Sequence, residues 1–367
     1  METKKLIIFM PSIEGGGADK NLFIISNYLV NKFKNVHLIT SSLNYKKKFD
    51  SRVNFITPKM NIWSGFGRNL KYLISVLILI KTIINNRNLI VLSFQANLYA
   101  ILICKILSVK IITRSNSFPG DWSKSVIMKF LFKYVYKMAD ARIVNSIGSQ
   151  KKFLEIYNLK SKCIYNPLNL KEIIKLSKNK TKNYFDKTAS LKLISVGRLS
   201  REKDHLTLLR SALYLINKLK ISVLILGEGL QKQNLIKFIN NNKLTDVVKL
   251  IGYKKNPYPF IKKTNFLILT SLHEGLPNIL LEATALKKFV ISSDCETGPR
   301  EILLNGKAGG LFKVSDYLDL SRKILFFNKN KKITQNKVMY GYSRINRFNI
   351  KSNLEKYFDT IYNVIKN

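Results

Sequence analysis

Short apolar runs of strand length alternate with longer helical patterns from one end to the other of this 367-residue chain. Strands covered on both faces read as continuous apolar runs, and the chain between two parallel neighbours must cross over, usually as a helix. The alternation therefore calls for parallel α/β architecture. Such runs occupy 5–10, 36–40, 53–56, 89–93, 110–114, 141–145 and 163–165, then 191–197, 221–227, 247–251, 265–271 and 289–292. Between the two sets lie Asn166-Pro167-Leu168-Asn169 and a Lys/Asn-rich stretch, a composition that suits a linker. The expected organisation is a doubly wound domain over 1–168, a linker over 169–190, a second doubly wound domain over 191–345 and a closing helical segment over 346–367. The chain is long enough to give each domain its own core.

Ligands of such sheets bind beyond the carboxyl ends of the strands. After one of these runs comes Glu274-Gly275-Leu276-Pro277-Asn278-Ile279-Leu280-Leu281-Glu282. Pro277 fits the first position of a helix. A helix N-terminus offers unpaired backbone N–H groups and the positive end of a dipole, which together seat a phosphate. Eight helical residues span about 12 Å at most, so the two carboxylates suit a sugar hydroxyl at one end of a diphosphate and a ribose at the other. That is the shape of a nucleotide-sugar. Gly275, Leu276, Pro277 and Asn278 are expected to offer backbone rather than side chains.

Gly197-Arg198-Leu199-Ser200-Arg201-Glu202-Lys203 follows another strand. Arginine clamps a phosphate bidentately and lysine adds a point charge. Cations placed there stabilise the charge that builds on a departing nucleoside diphosphate more than they stabilise the ground state. The alternative is a pair of solvated charges in a Lys-rich chain. Gly227 and Gly229 after the next strand either let the backbone approach a nucleotide base or make an ordinary strand-to-helix turn. Gly15, Gly16 and Gly17 lie between the first strand and the next helix, where glycines often only permit a tight turn. Arg114 and Asn116 stand at a strand's carboxyl end in the first half. They are candidates for an acceptor's phosphate, with a structural role as the alternative for Arg114.

In order and content these segments resemble the retaining GT-B glycosyltransferases of family GT4. The resemblance rests on Glu274-x7-Glu282, the Gly15 to Gly17 turn, the Gly197 to Lys203 loop, Gly227-Glu228-Gly229, and Thr297-Gly298-Pro299-Arg300-Glu301-Ile302-Leu303-Leu304-Asn305-Gly306. It covers nearly the whole chain. It implies a GT-B fold, two facing Rossmann-like domains with a cleft between them, and a closing helix that crosses back to the first domain. It implies a catalytic set of Arg198, Lys203 and Glu274, with Glu274 on donor-sugar hydroxyls at C3 or C4 and Glu282 on the ribose. Gly16, Gly17, Gly197, Gly227 and Gly229 would line the donor, and Gly15 the acceptor.

Many relatives carry a histidine near Arg114. This chain does not, because its three stand at His37 within a strand, His205 after the Arg/Lys loop, and His273 before Glu274. No side chain presents itself as a general base, in keeping with a retaining mechanism in which the leaving phosphate oxygen takes the acceptor's proton. There is no Asp-x-Asp motif. The nearest mimic is Asp294-Cys295-Glu296, so neither metal nor other cofactor is expected. The Thr297 to Leu303 variant resembles bacterial enzymes of surface-polysaccharide or polyprenyl-diphosphate-linked oligosaccharide synthesis. The expected reaction moves a hexose or N-acetylhexosamine from a UDP-sugar to such an acceptor. The rivals are a GT-B sugar-nucleotide 2-epimerase, which needs acid/base side chains that this histidine-poor chain lacks, and a non-catalytic sugar-nucleotide-binding module.

The net charge is +41. A coding bias toward Lys, Asn and Ile explains it, and so does attraction to an anionic surface. No helix-turn-helix, zinc-finger or RRM signature accompanies it, which argues against nucleic acid. An anionic membrane is the better partner. Lys124, Lys129, Lys133 and Lys137 recur among apolar residues over 122–137 at near-helical spacing, which suits an interfacial helix. The more apolar stretch 70–84 reads as a buried helix. Three scattered cysteines, the absence of a leader pattern and the absence of an apolar run of about 18 residues together lead to the expectation of a cytoplasmic protein peripheral to the membrane.

Overall fold

A computed structural model describes residues 4–58, 67–117 and 125–366. Trp122 and Lys124 lie outside the described residues. The chain divides into two compact units, Met1–Pro167 with Ile350–Asn367, and Leu168–Asn349.

The first unit holds strands β1 Lys5–Phe9, β2 Val36–Ile39, β3 Asn54–Ile56, β4 Leu89–Ser93, β5 Lys110–Ser115, β6 Ala141–Val144 and β7 Lys162–Cys163. Their order is β3-β2-β1-β4-β5-β6-β7, and every ladder is parallel. Helices α1 Gly17–Leu29, α2 Arg68–Asn85, α3 Asn97–Ile106, α4 Val126–Lys137 and α5 Ile147–Tyr157 belong to the connections. Because successive strand residues face opposite sides, Leu6 and Ile8 join the core with α1, while Ile7 and Phe9 join the core with α2, α3, α4 and α5. Ser125 and Ser146 cap α4 and α5 by accepting from the Met128 and Ser149 amides, which fixes where those helices begin.

The second unit opens on α6 Leu170–Leu176, which lies in the Lys/Asn-rich segment and buries Ile173. Strands β8 Leu191–Val196, β9 Ile221–Leu226, β10 Val248–Leu250, β11 Phe266–Leu269, β12 Phe289–Ser293 and β13 Gly310–Phe312 follow in the order β10-β9-β8-β11-β12-β13, again all parallel. Helices α7 His205–Leu215, α8 Lys232–Asn241, α9 Tyr258–Lys262, α10 Asn278–Ala285, α11 Pro299–Ile302, α12 Tyr317–Lys329 and α13 Lys331–Ser343 accompany them. The three-residue β13 has no counterpart among the runs read from the sequence. The last helix, α14 Ile350–Lys366, buries Leu354, Tyr357 and Ile361 in the first unit's core beside α1.

Each sheet grows outward from a central pair, β1 beside β4 and β8 beside β11. There the winding direction reverses, and the loops leaving the two strands part to opposite sides. In doubly wound sheets that is where the ligand crevice opens.

The 70–84 expectation needs correction. Although α2 buries Leu79 and Ile83, it leaves Leu73, Leu77 and Ile84 more than half exposed, at 56%, 57% and 60%. A sequence so apolar on all sides cannot report which side meets water.

Candidate active site

The reversal point of the second sheet gathers the residues with the most chemistry. Gly197 to Lys203 leaves β8, and Glu274 leaves β11, the neighbouring strand across the reversal. The β8 loop is braced from both sides. On one side the Gly197 amide donates to the Leu226 carbonyl (2.9 Å), the Leu199 amide to the Glu228 carbonyl (2.8 Å), and the Gln231 amide to the Leu199 carbonyl (2.8 Å). On the other, the Leu272 amide donates to the Glu202 carbonyl and the Thr270 hydroxyl to the Lys203 carbonyl, both at 2.8 Å.

Residues 201–203 form a single 3-10 turn that ends at Asp204, a left-handed residue (φ 43°) whose carboxylate caps α7. The turn delivers Lys203 to Glu274, where Lys203 Nζ donates to Glu274 Oε1. The Ser271 hydroxyl donates to the same oxygen at 2.7 Å. Arg198, on the same loop, is solvent-exposed.

Glu274 itself is held through its backbone. The Thr297 hydroxyl donates to the Glu274 carbonyl, and Gly298 packs so close that a Cβ there would lie 2.2 Å from the Gly275 oxygen. Cys295 Sγ and Ser293 Oγ both donate to the Ser271 carbonyl, at 3.0 and 2.6 Å. Burial pushes the Cys295 thiol up to about 11, so it stays protonated at neutral pH. Ser271, Ser293, Cys295 and the Thr297 hydroxyl are supports that sequence reasoning missed. Their signal is weak, since small polar residues at strand ends are common.

Pro277 is the cap of α10 rather than its first residue, and Asn278 begins the helix. Gly275, Leu276 and Pro277 are buried, which leaves their backbone as what they present. Glu282 lies on α10 at 6% exposure and accepts from the Tyr258 hydroxyl at 3.2 Å. His273 is exposed. Asp294 is ion-paired with Arg300, whose Nε donates at 2.8 Å, so Asp294-Cys295-Glu296 belongs to the loop that carries Thr297.

Sterics bear on Gly227 and Gly229. A Cβ on Gly227 would lie 1.8 Å from the Gly197 oxygen, and one on Gly229 would lie 2.5 Å from the Leu199 oxygen. Close packing of two loop backbones alone demands glycine at both.

In the first unit, Gly15, Gly16 and Gly17 connect β1 to α1, again at the sheet's reversal point. Gly15 has φ +82°, and a Cβ there would meet the Tyr45 hydroxyl at 2.4 Å. Asp19 organises the turn by accepting from the Glu14 and Gly16 amides, each at 2.9 Å. Burial raises its pKa, and those same amide bonds oppose the rise. An acidic residue three positions past a helix cap is the sequence signal for this, and it went unused.

Arg114 calls for a correction. It stands on β5 as expected but is fully buried, so it is not available to an acceptor's phosphate. Its Nε donates to the Tyr357 hydroxyl (2.7 Å), Nη2 to Asn166 (2.8 Å) and Nη1 to Asn116, and its guanidinium lies over the Phe94 ring. It ties α14 to the strand ends of the first unit. Asn116 is half-buried and serves Arg114.

His205, the first residue of α7, is buried with Nδ1 unpartnered. Desolvation, and then the Lys203 charge, press its pKa down to about 4. Below its unfolded value of 6.5 the unfolded chain takes up a proton that the folded chain refuses until about pH 4. Stability is therefore lost as pH falls through that window, by about 3 kcal/mol in all. In His205→Leu, urea denaturation between pH 7 and pH 4 should show a correspondingly shallower loss. An unchanged slope would remove His205 as the cause.

The sequence profile described as "Glycosyl transferases group 1" matches residues 177–344. The matched span carries the Gly197, Gly227, Glu274 and Thr297 loops.

Over 194 residues the chain is 39% identical to a glycosyltransferase of Methanocaldococcus jannaschii, covering 50% of this chain and 46% of that relative. Over 340 residues it is 27% identical to the N-acetylgalactosamine-N,N'-diacetylbacillosaminyl-diphospho-undecaprenol 4-alpha-N-acetylgalactosaminyltransferase of Campylobacter jejuni, covering 85% of this chain and 87% of that one. Among solved structures, Anabaena HepE in complex with UDP-glucose superposes with a TM-score of 0.76 at 15% identity, covering 98% of this chain and 99% of that one. The sucrose-phosphate synthase of Thermosynechococcus elongatus reaches 0.80 at 13%, covering 99% of each chain. The fold is GT-B.

Proposed function

We propose that this glycosyltransferase moves a hexose or N-acetylhexosamine, with retention, from a UDP-sugar to a glycan or polyprenyl-diphosphate-linked acceptor in cell-surface polysaccharide synthesis. The observation that carries the reading is the Lys203–Glu274 pair at the reversal point of the second sheet, with Arg198 on the same loop.

The donor's diphosphate lies against Arg198 and Lys203, and the N-terminus of α10 adds backbone N–H groups. As the glycosidic bond breaks, negative charge gathers on the leaving diphosphate, and the two cations hold it there without rearranging. The Lys203 and Ser271 bonds to the Glu274 carboxylate both fall on Oε1, so Oε2 is the oxygen turned to a sugar hydroxyl. Glu282, steadied by Tyr258, takes the ribose. The leaving phosphate oxygen accepts the acceptor's proton. The acceptor meets Gly15 of the first unit, and no metal takes part.

Support for the donor comes from Anabaena HepE, a structural relative that binds UDP and UDP-glucose. Support for the acceptor comes from the Campylobacter relative, which works on a diphospho-undecaprenol glycan, and from an amylovoran biosynthesis glycosyltransferase of Erwinia amylovora, 24% identical over 306 residues. These names favour transfer over epimerisation or mere binding. A lipid-linked acceptor places the reaction at the cytoplasmic face of the membrane.

Thermal denaturation against UDP, GDP, ADP and TDP tests the donor. A ligand at a hundred times its dissociation constant stabilises by about 2.7 kcal/mol, and UDP should do so selectively. Equal or absent shifts would sink the UDP assignment.

A further inference from the structure

Three helices of the first unit present an apolar surface to water. α2 packs against α3 and α3 against α4, all on one face of the sheet. On α4, Val126 and Phe130 stand one turn apart, as do Ile127 and Leu131, and they are 80%, 60%, 79% and 46% exposed. Phe132, Val135 and Tyr136 occupy the opposite side of the helix and are buried in the core. A helix that only covers a sheet needs one apolar stripe, and α4 has two. The outer stripe continues onto α3, where Tyr99 and Ile106 are 58% and 79% exposed, and onto the outward leucines of α2.

The charge on these helices is one-sided. Their sequences contain six lysines and one arginine, and not one Asp or Glu. Lys129, Lys133 and Lys137 recur every four residues along the flank of the outer α4 stripe. Projecting apolar side chains beside lysines with long aliphatic stems make up the surface of helices that lie in a lipid interface. Among the described residues no helix is long and apolar enough to cross a membrane, so contact through these helices would lie along the surface.

We infer that the α2–α3–α4 face seats on an anionic lipid leaflet. Ile127, Phe130 and Leu131 enter the boundary between headgroups and acyl chains, and the lysines meet headgroup phosphates. Charge decides between this occupant and a second copy of the chain. Lys105 is already paired with Asp140 at 2.8 Å. A two-fold dimer through this face would still set Lys129, Lys133 and Lys137 near identical cations with no carboxylate on these helices to neutralise them, whereas an anionic leaflet neutralises them. The inference gives a surface to the membrane-side location proposed above and does not depend on the transfer chemistry.

The test is sedimentation of the full chain with vesicles of phosphatidylcholine, alone or mixed with phosphatidylglycerol. The protein should partition onto the mixed vesicles and lose affinity as salt is added. Phe130→Ser/Leu131→Ser should lower that partition about ten-fold or more. Lys129→Gln/Lys133→Gln should lower it about five-fold per charge removed and leave binding to neutral vesicles unchanged. Phe130, Leu131 and Lys129 are exposed and Lys133 is half-buried, so both variants should keep the wild-type circular dichroism. Wild-type partition by either variant overturns the inference. So does a wild-type dimer in light scattering that the apolar variant dissociates. The UDP thermal shift is read in the same samples, and its absence would strike at the proposed reaction rather than at this surface.

Discussion

Replacing Lys203 with methionine should lower the turnover number about a thousand-fold while the protein stays folded. The methionine keeps most of the aliphatic stem, so the fold loses little packing, and the change is confined to the ammonium group. Two functions vanish with it. The leaving diphosphate loses a preorganised cation, and removing one such electrostatic partner costs about 10²–10³ in rate. Glu274 loses its ion-pair partner and keeps only the Ser271 hydroxyl on Oε1, so the carboxylate is no longer fixed for the donor sugar. The second effect is what takes the expected loss to the upper end.

Because the two side chains act as one unit, Glu274→Gln in the Lys203→Met background should cost much less than Glu274→Gln alone. Initial rates at saturating UDP-sugar for the two single variants and the double variant measure this. A Lys203→Met enzyme within three-fold of wild type would end the assignment, and strictly additive losses would end the claim that the pair works together.

What could be read from the sequence follows from how local each signal is. Strand cores such as 221–226, apolar but for Ser222 and buried throughout, announce themselves as apolar runs. The loops at the strand ends were equally legible, because glycine, arginine and glutamate stand out against apolar runs. The contacts between those loops were not. Lys203 and Glu274 are 71 residues apart, and Arg114 and Tyr357 are 243 apart. Nothing local to Arg114 says that a tyrosine from the last helix will cover it. A buried arginine and a phosphate-binding arginine look the same in one dimension. The outward leucines of α2 fail for a related reason, since hydrophobicity gives the amount of apolar surface but not its partner. β13 is short and begins with a glycine, so it lacks the length from which a strand is recognised.

Glycine chemistry gives the second large effect, and it separates two residues that the motif treats alike. Gly227→Ala should destabilise the second unit by about 3–5 kcal/mol, because the new methyl group would sit 1.8 Å from the Gly197 oxygen at a backbone φ of +154°. Backbone stands on both sides of that contact, and no side chain can rotate away. Relief requires the β8 loop to move, and that loop carries Arg198 and Lys203. Displacements of about 1 Å at reacting groups cost about a hundred-fold in rate, so the variant should lose transfer and the UDP thermal shift together.

Gly197→Ala is the contrast. The nearest atoms to its Cβ would be the Lys203 methylene groups at 3.7–3.8 Å, an ordinary contact, so the fold should hold to within about 1 kcal/mol. If Gly197 is glycine because the donor approaches its backbone, that variant stays folded and loses UDP affinity. If the donor keeps away, it behaves as wild type. Urea midpoints and UDP thermal shifts on the two variants decide the matter. Equal stability of Gly227→Ala and Gly197→Ala would mean that the loops do not pack as closely as described, and the bracing of the β8 loop would fall with it.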